Sequence, residues 1–260
     1  MSKVHNYSAG PCILPQEVFT EASQSVLDFN GIGLSILEIS HRSKEFVAVM
    51  DEATALVKEI LDVPNNYDVV FLQGGASLGF AITAFNYLKT KGAYVDTGAW
   101  AAKSLKEAKK IGYVDLVASS ADKNYNFIPK EYSIPSDADY LHITSNNTIF
   151  GTQIKNLPDT SIPVICDMSS DIFSKKIDVS KFDMIYAGAQ KNLGPAGATL
   201  YIIKKGTLGK TDNNIPTMLN LETHIKKDSM YNTPPVFSVY VSMLTLRWLK
   251  NSGGIAWMED

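Results

Sequence analysis

Val69-Val-Phe-Leu-Gln-Gly-Gly-Ala-Ser77 is the stretch whose reading decides the fold. Residues 69–72 form a continuous apolar run, the pattern of a strand covered on both faces. Gly74-Gly75 stops the run, and a helix is predicted over 77–89. A buried strand that turns through glycine into a helix opens a strand–helix–strand unit. Such units build a mainly parallel sheet with helices on both faces.

The same alternation extends outward in both directions. Upstream, 43–61 reads as a helix: Phe46, Met50, Ala53, Val57 and Ile60 keep the three-and-four spacing of one buried face, and Pro64-Asn65-Asn66 ends it. Downstream, 93–96 reads as a strand and 100–111 as a helix with Lys103, Lys106 and Lys110 on its wet side. Further strands are expected at 114–118, 140–144, 163–166, 184–187 and 198–203, the last two flanking a glycine-rich turn. The connections after Ala118 and after Thr144 are short of helix. The expected class is α/β, with a mainly parallel seven-stranded sheet.

Composition narrows the function classes. The 260 residues are 45% hydrophobic and 20% charged, which argues against disorder and against a disulfide scaffold. With 24 Lys+Arg against 27 Asp+Glu the net charge is −3, so there is no basic footprint for nucleic acid. The two cysteines, Cys12 and Cys166, form no C-x-x-C pair, and a reducing, cytoplasmic location is the expectation. Residues 1–8 contain no apolar h-region, and the apolar runs are strand-sized, so neither a signal peptide nor a membrane partner is expected.

In sheets of this kind ligands bind at the carboxyl ends of the strands. That rule selects residues 74–77, 98–100, 146–148, Asp167 and 189–191. Gly74-Gly75-Ala76-Ser77 is either a phosphate cradle on a helix start or a plain turn. No Lys-Ser/Thr completes a Walker A loop, and Gly31-x-Gly33 is not continued as G-x-G-x-x-G. Asp167 is either a helix cap, with Ser169 and Ser170 as competitors, or a functional carboxylate. Lys191 is either a solvated turn lysine or a partly desolvated, nucleophilic amine. Trp100 could fill the core or offer an aromatic face. Together, a phosphate cradle, an acid and a lysine at separate strand ends are the parts that pyridoxal phosphate needs. No metal ligand is assigned.

Several segments carry a resemblance. Asn6-Tyr-Ser-Ala-Gly-Pro11, Ile39-Ser-His-Arg-Ser-Lys-Glu-Phe46, Phe71-Leu-Gln-Gly-Gly-Ala-Ser77, Thr97-Gly-Ala-Trp100, Gly188-Ala-Gln-Lys-Asn192 and Asn232-Thr-Pro-Pro235 closely resemble the phosphoserine aminotransferases, in the class V group of pyridoxal-phosphate enzymes. The resemblance runs in order from about residue 5 to the last residue. It implies a fold-type I large domain over 16–250, after an N-terminal segment 1–15. Residues 251–260 would begin a C-terminal small domain that is otherwise absent, and in the family that domain supplies an arginine for the substrate's alpha-carboxylate.

The resemblance also implies roles. Lys191 would carry the cofactor as a Schiff base, and Gln190 would touch its phosphate. Asp167 would pair with the pyridine nitrogen, Trp100 would stack on the ring and Thr148 would bond the phenolic oxygen side. Ala76 and Ser77 would hold the phosphate through the helix start. Asn232 and Thr233 would reach the phosphate of the neighbouring subunit's cofactor, which implies a homodimer with shared sites. His41 and Arg42 would face substrate, with Arg42 pairing an acidic group.

Two departures stand out. Some members carry Arg where this chain has Ser77, and some carry Ser where it has Ala9. The implied reaction is transamination between L-glutamate and 3-phosphohydroxypyruvate, giving 2-oxoglutarate and 3-phosphoserine in serine biosynthesis. The alternatives are another class V pyridoxal enzyme, of the alanine–glyoxylate aminotransferase type, or a non-catalytic dimeric scaffold should the chain truly end at 260. A cysteine desulfurase is a weaker rival, since neither cysteine stands near an expected substrate position. His5, His142 and His224 match no motif and read as structural or solvated.

Overall fold

Tyr67, Val69 and Phe71 on one face of the first strand and Val70 and Leu72 on the other are all buried, which is why the run is continuously apolar. The computed structural model describes residues 4–260, so the reading of residues 1–8 as free of a signal falls partly outside the described residues. The strands are β1 (Tyr67–Gln73), β2 (Lys91–Asp96), β3 (Tyr113–Ser119), β4 (Tyr140–Thr144), β5 (Asn146–Asn147), β6 (Thr152–Gln153), β7 (Val164–Asp167), β8 (Met184–Gly188) and β9 (Ala198–Lys204). Seven of them form one sheet in the order β1-β9-β8-β7-β4-β2-β3, and β5 and β6 form a separate small hairpin. Strand β9 runs antiparallel to both neighbours, and every other pairing in the large sheet is parallel.

Helices cover both faces, as expected. α1 (Gln16–Leu27), α2 (Lys44–Ile60) and α6 (Val236–Asn251) pack on the face that carries Phe71, Ile143 and Cys166. α3 (Gly75–Tyr87), α4 (Ala99–Ile111) and α5 (Leu221–Ile225) pack on the face that carries Leu72, Tyr94 and Tyr186. A short α7 (Gly254–Glu259) meets α6 through Trp257 on Trp248, ring centroids 5.4 Å apart. Among the described residues, no helix is long and apolar enough to cross a membrane.

Local chemistry sets the helix ends. Ser43 caps α2 by accepting the Phe46 N–H. α3 begins two residues earlier than its apolar pattern suggests, because Gly74 adopts a φ of 107° and folds the chain into the helix at once. A Cβ at Gly74 would collide with the Leu78 side chain, and its φ is one that other residues rarely adopt, so glycine is required there. The connections after β3 and β4 are indeed without α-helix, holding a single turn at Ala121–Lys123 and the β5–β6 hairpin. α6 has buried residues almost all round, from Val239 to Leu246, and so lacks the one-sided stripe that reveals α2.

Two buried polar residues hold the face under α3 and α4. The Asn86 side-chain amide donates to the carbonyls of Ile82 and Leu219, both at 2.7 Å, and its oxygen accepts the Leu221 N–H at 3.0 Å, stapling α3 to α5. Asn86→Ala leaves those partners unsatisfied and is expected to cost about 2–4 kcal/mol, read as a lower urea midpoint with unchanged slope.

His142 is wholly buried, stacked on Tyr94 with its Nε2 2.8 Å from the Tyr186 hydroxyl. Burial pushes its pKa down to about 3, against an ordinary 6.5. The unfolded chain therefore takes up this proton first as pH falls. The contribution is complete above pH 6.5 and is lost progressively from there down to about 3. Unfolding free energies at pH 7.5 and pH 5 should differ by about 2 kcal/mol less in His142→Gln than in the parent.

Candidate active site

The sheet register brings the strand ends together. Thr144 of β4 pairs with Asp167 of β7, and Asp167 pairs with Tyr186 of β8, so three loops leave the same edge side by side. Trp100 stands in the first turn of α4, just after β2, and Ala76 and Ser77 in the first turn of α3. Between these elements lies a cavity of about 130 Å³. Its walls include Ala76, Ser77, Trp100, Thr148, Asp167, Gln190 and Lys191.

The amino terminus of α3 enters the cavity with its first-turn N–H groups free of intrahelical partners and with no side-chain cap. At Gly188 a Cβ would lie 2.6 Å from the Gln190 side-chain oxygen and 3.4 Å from the Ala76 nitrogen. The end of β8, Gln190 and the start of α3 therefore converge. That group of N–H donors at a positive helix end suits a phosphate.

Asp167 is 4% exposed. Its Oδ1 accepts the Ser169 backbone N–H at 2.9 Å and the Ser169 hydroxyl at 2.6 Å, an Asx turn that starts the single turn 168–172. Oδ2 has no hydrogen-bond partner among the described residues. The two readings of Asp167 from sequence thus coexist: one oxygen caps a turn, and the other lies free beside the cavity. Burial raises the Asp167 pKa and the Asp171 charge adds to the rise, while Ser169 and the Lys191 ammonium oppose it.

Lys191 lies in the turn between β8 and β9, which is closed by Ala189 N–H to Ala198 O at 3.0 Å and Gly194 N–H to Ala189 O at 2.8 Å. Its Nζ donates to Thr148 Oγ1 at 2.6 Å and lies 5.9 Å from the centre of the Trp100 ring. The N-terminal segment holds it from outside. Cys12 N–H donates to Gln190 O at 3.0 Å, and a Cβ at Gly10 would meet Lys191 Cγ at 2.9 Å. Burial holds the amine below its ordinary 10.5, against the raising pull of Asp167, Cys12 and Asp171. Thr148 is steadied by its neighbour Asn147, which accepts from Thr97 Oγ1 at 3.3 Å and donates to Thr152 Oγ1 at 3.2 Å.

Four residues singled out in the sequence lie elsewhere. His41 is buried, its Nε2 without a partner, and Arg42 is exposed just ahead of α2. Asn232 is half-buried, donating to the Thr233 carbonyl, and Thr233 is exposed. None of the four lines the cavity. Conversely, Thr144, Asn146, Ser169 and Ser170 do line it. Ser169 and Ser170 had been visible only as competing caps, Asn146 had been selected by the strand-end rule, and Thr144 is the last residue of the expected strand just ahead of it.

The combination defines a class: an α/β enzyme with a lysine, an acid and an anion-binding helix end in one cavity. The chain belongs to the class-V aminotransferases, whose family model, Aminotransferase class-V, matches residues 4–260. Within them it is 64% identical to the phosphoserine aminotransferase of Flavobacterium psychrophilum over 99% of its own length and 73% of the relative's. The structure of a phosphoserine aminotransferase from Bacillus circulans subsp. alkalophilus superposes with a TM-score of 0.94 at 45% identity, over 98% of this chain and 72% of that one. A PLP-bound phosphoserine aminotransferase from Trichomonas vaginalis gives 0.93 at 33% identity, over 99% and 78%.

The opposing pulls on Lys191 make a signed prediction. In the cofactor-free protein its amine should titrate below 10.5, and Asp167→Asn should lower it further, because the Asp167 charge favours the ammonium. Acetylation of Lys191 followed by mass spectrometry across pH reads this directly; an upward move in the variant contradicts it.

Proposed function

We propose that this chain catalyses pyridoxal-phosphate-dependent transamination between L-glutamate and 3-phosphohydroxypyruvate, yielding 2-oxoglutarate and 3-phosphoserine. The observation that carries the reading is the convergence of the α3 amino terminus, Asp167 and Lys191 on one cavity. The residues present fit the cofactor. Trp100 Nε1 and Thr144 Oγ1 are buried without partners, Asp167 Oδ2 is free, and the α3 terminus is uncapped. When bound, pyridoxal phosphate supplies an aldehyde for the substrate amine and a ring that withdraws electrons from the alpha carbon.

The first turn of α3 and Gln190 hold the phosphate. Asp167 Oδ2 would face the ring nitrogen, where a positive charge would offset the burial of the carboxylate. Trp100 would cover one ring face, and Thr148, 2.6 Å from the Lys191 amine, would bond the phenolic oxygen side. Lys191 anchors the cofactor through Nζ. Nζ would act as the base for the alpha proton and then return one, and the burial that lowers its pKa favours the neutral amine this requires.

His41, Arg42, Asn232 and Thr233 are contributed to the cavity of a second copy, so the working unit is a homodimer with shared sites. A guanidinium fork matches carboxylate and phosphate alike, which lets Arg42 serve both half-reactions. Both described cysteines are free, which suits the cytoplasm. A non-catalytic scaffold is disfavoured by the complete set of Lys191, Asp167 and the α3 cradle, and an alanine–glyoxylate activity by the 64% identity to a phosphoserine aminotransferase.

Lys191→Ala should reduce turnover by at least about 10³-fold with glutamate and 3-phosphohydroxypyruvate, measured as 2-oxoglutarate formed. Retained activity in that variant, or a parent enzyme that prefers glyoxylate as acceptor, would sink the proposal.

A further inference from the structure

Ser169 stands at a junction that the proposed reaction does not use. It is 7% exposed, and its Oγ lies 2.6 Å from Asp167 Oδ1 and 3.0 Å from the backbone nitrogen of Gly188. Gly188 N–H can only donate, so the Ser169 oxygen accepts there. The single hydroxyl proton is then committed to Asp167, whose carboxylate also takes the Ser169 N–H. Two donors at the Oδ1 position hold the plane of the carboxylate and leave its other oxygen turned away from them. Gly188 ends β8, two residues before Gln190 and three before Lys191, so the same hydroxyl links the acid to the strand that delivers the lysine.

The neighbours are engaged otherwise. Ser170 is paired with Asn146, donating to its carbonyl at 2.9 Å and accepting from its side chain at 2.8 Å. Asp171 is held by Ser145, Gln153 and Lys175. Neither can replace Ser169 at Oδ1.

We propose that Ser169 is a positioning residue: its hydroxyl fixes the plane of the Asp167 carboxylate, so that the oxygen it does not bond faces the cofactor's ring nitrogen, and it ties that carboxylate to the Lys191 strand. This rests on the role given to Asp167 above. The experiment measures the affinity of cofactor-free protein for pyridoxal phosphate and for its 1-deaza analogue, which lacks the ring nitrogen. The parent protein should prefer pyridoxal phosphate. Ser169→Ala should narrow that preference by about tenfold, the scale of one charge-assisted hydrogen bond.

Asp167→Ala should abolish the preference. A loss of affinity for both ligands alike in Ser169→Ala, or no loss at all, would overturn the role of Ser169 while leaving Asp167 in place. An undiminished preference in Asp167→Ala would instead overturn the reading of Asp167. Should Ser169→Ala fail to fold, Ser169→Cys, with a weaker donor on the same Cβ, carries the same comparison.

Discussion

Asp167 is a carboxylate at the end of a central strand, flanked by Thr144 and Tyr186 and almost closed off from water. An ionised group so placed costs on the order of several kcal/mol unless donors and a countercharge meet it. Much of the surrounding structure answers that requirement. Ser169 supplies two hydrogen bonds to one oxygen, and Lys191 supplies positive charge from the next strand end. The same burial that raises the acid's pKa lowers the lysine's. Each group is thus held away from its solution behaviour, in the direction that makes an acid wait for a cationic partner and an amine act as a base.

Neither shift would arise on an isolated strand end. Both depend on β4, β7 and β8 running parallel in register, so that their carboxyl ends, and the loops that leave them, open on one cavity. α3 and α4 complete the enclosure because each begins within a few residues of its strand. Gly74 permits the abrupt turn into α3, and at Gly98, ahead of α4, a Cβ would fall 2.6 Å from the Asn147 side chain, so glycine there lets that side chain approach.

Most of this was legible in the sequence because strands buried on both faces leave continuous apolar runs and because strand ends are where ligands bind. Seven strands, three of the long helices and seven of the residues of the cavity wall followed from those two rules together with the family resemblance. α6 escaped because its burial is nearly all round, and α1 because its buried stripe is only Val18, Ala22 and Ser25. Asp167 presented two readings, and the structure shows both because a carboxylate has two oxygens. The placement of His41 and Arg42 away from the cavity was illegible from spacing, since separation in sequence does not say which strand ends a loop approaches, whereas Asn232 and Thr233, which also lie outside it, were expected from the resemblance at a neighbouring copy's site.

The reversed direction of β9 has a further consequence. Because β9 fills the gap between β8 and β1, Tyr67 pairs with Lys204 and Gln73 with Ala198, joining parts of the chain far apart in sequence. The α3 cradle and Lys191 cannot meet until that pairing has closed, and closure of so long a loop is an entropically slow event in folding. A ligand that bridges the two therefore binds only chains that have finished folding, and each bound molecule draws the population toward the native state by mass action. Cofactor supply thus acts on the fold as well as on the chemistry, since the folded fraction rises with the concentration of a ligand that only the native chain can bind.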